Sequence, residues 1–208
     1  MIELCEPPRS YRDLCARLQL NAGIPYSEHW SAAADFLDLV VDEVITIRPE
    51  TILECGGGVS TLMLAAACRE AGQGKVLSLE HQQEYARDLR DFVAGYGLQE
   101  FATIIDAPLV DTPVNGQDYL WYSLENLVEC DIDMMIIDGP PGRLQKNSRY
   151  PALPALVGRM AVESSIFLDD AGREDEREIV RLWVGEIPGL SSSYIDNERG
   201  CSRLLYSP

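Results

Sequence analysis

Five short apolar runs of this 208-residue chain finish on or beside a carboxylate. TILEC carries Glu54, KVLSLE ends on Glu80, FATIID on Asp106, DMMIID on Asp138, and SSIFLDD on Asp169 with Asp170 directly after it. Carboxylates accept hydrogen bonds, attract cations and move protons. If the runs are neighbouring parallel strands, their C-terminal ends share one edge, where such sheets bind ligands, and six acids crowd one rim. Two like charges about 4 Å apart repel by roughly 4 kcal/mol at an effective dielectric near 20. Cations, hydroxyl donors or raised pKa values must therefore offset the rim. In the competing reading each acid merely caps the helix that follows, where the helix dipole favours negative charge.

The glycine stretch ECGGGVST narrows the ligand. A dinucleotide wants G-x-G-x-x-G, because its pyrophosphate rests on a helix N-terminus and the third glycine lets helix and strand pack. Gly56 and Gly58 fit that spacing, but Thr61 holds the third place and Glu54 puts a negative charge beside the pyrophosphate position. A zwitterion with ammonium and sulfonium groups, such as S-adenosylmethionine, suits the carboxylates better, and its own carboxylate can face the free N–H groups of the Ser60 to Leu62 turn. Glu80 then stands where a ribose diol needs an acceptor and Asp106 where an adenine amine needs one, at successive spacings of 26 positions.

These residues must be positioned by a parallel sheet wrapped by helices. Helical stretches separate the runs: TLMLAAACREAG and QQEYARDLRDFVAGYGL, each with a glycine near its end, a Pro/Gly-rich loop and helix in GPPGRLQKNSRYPALPALVGRM, and EDEREIVRLWVGEI. SSSYID and CSRLLY, joined by NERG, form a C-terminal hairpin. Before Thr51, YRDLCARLQL and SAAADFLDLVVDEVITI are helices, the second capped by Ser31 and stopped by Pro49, with Tyr26, His29 and Trp30 in the loop between them. The expected fold is α/β and Rossmann-like, doubly wound, with a mostly parallel seven-stranded sheet, a C-terminal antiparallel hairpin and an N-terminal helical appendage. The appendage is residues 1–50 and the ligand-binding domain residues 51–208.

The formal charge of −17 argues against nucleic acid or an anionic membrane surface as partner, since phosphates are bound by Lys and Arg. DFLDLVVDEVITI is interrupted by Asp38, Asp42 and Glu43 and does not span a membrane. Six cysteines without CxxC or His-containing metal spacing, behind an N-terminus lacking the secretory order, predict free thiols and a cytoplasmic protein. Cys55 is expected to be a small buried hydrophobe.

With ECGGGVST, VLSLEH, ATIIDA and MMIIDGPPG as four successive motifs, residues 51–206 resemble the class I S-adenosylmethionine-dependent methyltransferases, in particular the catechol O-methyltransferase-like, small-molecule branch. The resemblance implies cofactor binding by Glu54, Gly56, Gly57, Gly58, Ser60, Glu80, His81, Asp106, Ala107 and Asp138. It implies a divalent cation, Mg²⁺, on Asp138, Asp169 and Asp170, the last in place of an Asn. It implies catalysis by Asp138 and a lysine base for which Lys146 is the candidate, although Gly139, Pro140, Pro141 and Gly142 stand where that lysine is expected. The partner implied is a small-molecule methyl acceptor at oxygen or nitrogen, and a homodimer is left open.

Alternatives accompany each assignment. Asp169 and Asp170 can instead cap the following helix or pair with Arg173. His81 can be a surface residue. His29 and Trp30 form a lid, or Trp30 packs the N-terminal helix on the sheet. Arg143, Lys146 and Arg149 recognise an anionic substrate or form a solvated loop. A nicotinamide-dependent oxidoreductase would use Gly56, Gly58 and Glu80 but leaves Glu54 and Asp106 idle, and a non-catalytic nucleoside-binding module would explain the missing lysine.

Overall fold

The computed structural model describes residues 6–208, so Cys5 lies outside the described residues. Two helices, α1 (Arg9–Arg17) and α2 (Ala34–Ile47), precede β1 (Thr51–Cys55), α3 (Val59–Ala71), β2 (Lys75–Glu80), α4 (Gln83–Gly95) and β3 (Ala102–Asp106). A hairpin of β4 (Leu109–Val114) and β5 (Gln117–Tyr122) leads to β6 (Ile132–Ile137), α5 (Ala152–Leu156), β7 (Met160–Leu168), α6 (Glu174–Glu186), β8 (Leu190–Ile195) and β9 (Cys201–Tyr206).

Seven strands form one sheet in the order β3-β2-β1-β6-β7-β9-β8. The first five in that order are parallel, and β9 runs antiparallel to both β7 and β8. The fold is the expected α/β one, with the C-terminal hairpin closing the sheet. Strand order reverses between β1 and β6, with β2 and β3 added on one side of β1 and β6 and β7 on the other, and a crevice opens outside the strand ends at such a switch point.

Alternation along the strands builds the core. Ile52, Met134 and Ile136 face a layer with Phe36, Val40, Leu62 and Leu89 from α2, α3 and α4. Leu53, Met135 and Ile137 face the opposite layer with Leu153, Trp183 and Trp121 from α5, α6 and β5. Helix α3 is buried along nearly its whole length because α2 covers it, so its sequence is apolar all round. It ends at Gly72 in the left-handed region.

Two expectations change. Ser31 does not cap α2: the N-cap is Ala33, and the Ser31 hydroxyl accepts the Ser27 N–H at 2.9 Å. The β4–β5 hairpin, a separate two-stranded sheet, was not foreseen. Its turn is Asn115-Gly116, both at positive φ (50° and 82°), the conformation that matches strand twist in a two-residue hairpin loop.

Among the described residues, Cys15, Cys55, Cys68, Cys130 and Cys201 are free thiols. Cys55 is fully buried, and burial pushes its thiol pKa well up, in keeping with a packing role. No helix of the described residues is long and apolar enough to cross a membrane.

Candidate active site

The loop from Cys55 to Val59 is held from beneath. Glu54 is 0 % exposed; its Oε2 accepts the Thr61 hydroxyl at 2.5 Å and the Ser78 hydroxyl at 2.6 Å. Thr61 in turn accepts the Gly58 N–H at 2.9 Å, so the acid, the first turn of α3 and the glycine loop form one chain of hydrogen bonds. Burial raises the Glu54 pKa from 4.5 to about 7, against the lowering effect of the Ser60, Ser78 and Thr61 hydroxyls. Gly56 has φ +98° and lies against Gly139, at the end of the neighbouring β6. A Cβ on Gly139 would collide with the Tyr122 hydroxyl and come within 3.1 Å of Gly56 Cα. Only glycines allow the two strand-end loops to approach this closely.

Above the loop is a cavity of about 390 Å³, walled by Gly56, Gly57, Glu80, His81, Tyr85 and Tyr122 and roofed from the α1–α2 loop by Ser27, His29 and Trp30. Glu80 Oε1 accepts the Gln82 N–H at 2.7 Å and lies 3.1 Å from His81 Nδ1. Asp106 is the register partner of Glu80 across β2 and β3, and its carboxylate meets Arg90 at 2.9 Å. Ala107 is buried, and its N–H donates to the Glu80 main-chain oxygen at 2.8 Å. Gly58, Ser60, Asp106, Ala107 and Glu54 do not form its wall.

A second cavity of about 510 Å³ adjoins the first and shares His29, Trp30, Asp138 and Pro141 with it. Arg143, Arg149, Asp170, Arg173, Glu176 and Arg199 line its far side. Asp138, Asp169 and Asp170 converge, each offering a carboxylate oxygen within 4.8 Å of the others. Asp170 adopts φ +59°, an arrangement Asp tolerates better than most residues, and this turns its carboxylate back toward the cluster.

Arg149 offsets these acids. It is 2 % exposed; one Nη donates to Asp138 Oδ1 at 3.0 Å and Asp170 Oδ2 at 2.9 Å, and the other to the Asp169 main-chain oxygen at 2.9 Å. Arg173 adds a contact to Asp170 at 2.8 Å. The Asp169 carboxyl is buried with neither oxygen partnered among the described residues. Burial and the neighbouring Asp138 and Asp170 charges raise its pKa. The Asp138 pKa is likewise raised, by burial first, against the pull of Arg149.

Residues 53–171 match a family described as a methyltransferase domain. The chain belongs to this family. Solved structures repeat its architecture. The Podospora anserina methyltransferase PaMTH1, bound to S-adenosylhomocysteine, aligns over 99 % of this chain and 91 % of its own at 13 % identity, with TM-score 0.67. The O-methyltransferase TomG of Streptomyces achromogenes, in complex with S-adenosylmethionine, aligns over 99 % and 92 % at 13 % identity, TM-score 0.66. An O-methyltransferase-like protein of Klebsiella pneumoniae aligns over 99 % and 93 % at 21 % identity, TM-score 0.65. No curated protein matches the sequence. The methyltransferase thus shares the fold of these S-adenosylmethionine- and S-adenosylhomocysteine-bound proteins.

The methyltransferase's first cavity fits a nucleoside cofactor. Its volume falls in the range of small-molecule sites, about 300 to 1,000 Å³. Its wall offers the Tyr122 hydroxyl, a buried polar atom with no hydrogen-bond partner among the described residues. Arg149 already holds Asp138 Oδ1 and Asp170 Oδ2, so the acid cluster does not offer Mg²⁺ those two oxygens. An ion taking them at about 2.1 Å would lie no more than about 5 Å from the guanidinium nitrogen. At that distance charges of +2 and +1 repel by roughly 7 kcal/mol at an effective dielectric near 20, which opposes the attraction of the carboxylates.

Lys146 is not brought to the site: it is exposed, lines neither cavity, and its charge is felt by Glu178 on α6. Trp30 is 56 % exposed and so does not pack α2 on the sheet; Arg143 stacks on it with its guanidinium carbon 4.5 Å from the ring centre. Arg149 is the reverse case, a core cation where the sequence favours a solvated loop. Tyr85 and Tyr122 were not anticipated; Tyr122 reaches the site through the hairpin that Asn115-Gly116 signals.

Proposed function

We propose that this methyltransferase transfers the methyl group of S-adenosylmethionine to an oxygen or nitrogen of a small molecule held in the larger cavity. The observation that carries the reading is that Asp138 belongs to the walls of both cavities and is the one carboxylate among the residues they share. When bound, S-adenosylmethionine supplies an electrophilic methyl on a sulfonium centre.

The chain's own groups then have distinct tasks. Glu80 accepts hydrogen bonds from the ribose diol, while Gly57 and the Ser60 turn of α3 present backbone N–H groups to the amino-acid carboxylate; Gly56 and Gly58, whose N–H groups go to Leu79 and Thr61, shape the loop. Asp106, Ala107 and His81 border the adenine end. Glu54 holds the glycine loop in shape from below. Arg149 holds Asp138 Oδ1, leaving Oδ2 to take the proton released by the acceptor. A carboxylate whose pKa is raised is a better base than an ordinary one, and it remains ionised at neutral pH beside a guanidinium. Trp30 and His29 roof the chamber and exclude water, and holding acceptor and methyl in line supplies much of the rate.

Calorimetric titration with S-adenosylmethionine, S-adenosylhomocysteine and NAD tests the reading. Both sulfur nucleosides should bind and NAD should not. Tight NAD binding with no response to either nucleoside overturns it. Cofactor binding without turnover on a broad panel of hydroxyl and amine acceptors would leave a nucleoside-binding module instead.

A further inference from the structure

We propose that Arg149 is the resident cation of the acid cluster, occupying the place that catechol O-methyltransferase-like enzymes give to a divalent ion, and that methyl transfer here proceeds without a metal. The inference rests on reading the larger cavity as the acceptor chamber. Its own observation is that the guanidinium bridges two of the three would-be ligands, Asp138 Oδ1 at 3.0 Å and Asp170 Oδ2 at 2.9 Å. The third, Asp169, gives Arg149 its main-chain oxygen at 2.9 Å.

The arrangement is built in rather than incidental. Strand ends β6 and β7 hold Arg149 from two sides, and Glu176 of α6 stands 3.8 Å away on a third. Its neighbours are fixed too: Ser148 and Tyr150 are buried, the Ser148 hydroxyl donates to the Pro140 main-chain oxygen at 3.3 Å, and the Arg149 carbonyl accepts the Ala152 N–H at 3.2 Å. Swinging the side chain out to admit an ion would leave buried carboxylates unpaired along the way. A guanidinium also stays charged at every working pH, so the compensation it offers is permanent. The planar fork reaches two carboxylates with one nitrogen and a carbonyl with the other, which orients Asp138 as well as neutralising it. Arg149 is thus a positioning residue acting through Asp138. The missing lysine agrees with this: Lys146 lines neither cavity, and the cation that reaches the acids from the same loop is Arg149.

The test is a Mn²⁺ titration followed by water-proton relaxation, on the wild-type chain and on Arg149→Met, with turnover measured before and after chelation. The wild type should bind no stoichiometric Mn²⁺ at micromolar concentration, and its turnover should change less than about twofold on chelation. Removing the guanidinium charge should tighten Mn²⁺ binding by about tenfold or more. Stoichiometric micromolar Mn²⁺ on the wild type overturns the proposal without recourse to any variant, and so does a folded Arg149→Met protein that still ignores the ion. Arg149→Lys, which keeps a cation, should fold and gain no Mn²⁺ affinity; a gain matching that of Arg149→Met would overturn it as well. Loss of S-adenosylmethionine binding in calorimetry strikes the reading of the site itself. Mn²⁺ binding to a protein that still takes the nucleoside strikes only the role of Arg149.

Discussion

The Thr61 hydroxyl donates to Glu54 Oε2 at 2.5 Å, and this single bond joins the end of the first strand to the first turn of the helix that follows the glycine loop. Because the carboxylate is fully buried, its pKa is raised from 4.5 to about 7. The sign follows from the folded state holding the proton more tightly than the unfolded chain. That contribution to stability is complete below about pH 4.5 and is lost as pH rises through about 7. Glu54→Gln keeps an oxygen for both hydroxyls and cannot titrate. Urea unfolding at pH 5 and pH 8 should show the variant gaining on the wild type by up to roughly 3 kcal/mol between the two. An identical difference at both pH values would mean that Glu54 does not titrate in this range.

Gly139→Ala forces a methyl into the Tyr122 hydroxyl and toward Gly56. Overpacking of this kind costs about 1 to 3 kcal/mol. The variant should melt lower and bind S-adenosylmethionine at least about tenfold more weakly. Tyr122→Phe in the same chain removes the clashing oxygen and should restore part of both. No recovery in the double variant would put the obstruction elsewhere.

Glu80→Ala removes the acceptor proposed for the ribose. Hydrogen bonds to a charged group contribute about 1.5 to 3 kcal/mol, so cofactor affinity should fall by roughly ten- to a hundredfold. Calorimetry measures it, and a melting curve separates lost affinity from lost fold, since Glu80 also accepts the Gln82 N–H. Unchanged affinity would leave Glu80 as a structural cap.

Trp30→Ala distinguishes a roof from a packing residue. Exposed substitutions usually alter stability by no more than about 0.5 kcal/mol, and Trp30 is mostly in solvent. Turnover should drop about tenfold or more while the melting temperature barely moves. A large loss of stability would return Trp30 to the core.

Much of this architecture was readable in advance because a parallel strand announces itself twice, by an apolar run and by what stands at its end. Glu54, Glu80, Asp106, Asp138 and Asp169 mark the ends of β1, β2, β3, β6 and β7, and those five strands lie side by side. The need to offset their charge was equally legible. The means were not: hydroxyls of Thr61 and Ser78 serve Glu54, Arg90 serves Asp106, and Arg149 serves Asp138 and Asp170. Arg149 follows Asp138 through a Pro/Gly-rich stretch, and no local periodicity tells which side chain of such a stretch turns inward. Tyr122 was hidden for another reason. Its strand pairs through the Asn115-Gly116 turn with β4, whose Pro113 and Asp111 disguise it as a loop in the sequence.

The shared roof over the two chambers has a kinetic consequence. Trp30 and His29 border both cavities, so displacement of the loop that carries them opens both chambers at once. Nucleoside and acceptor should therefore slow each other's release, and their dissociation rates should fall together when both are bound.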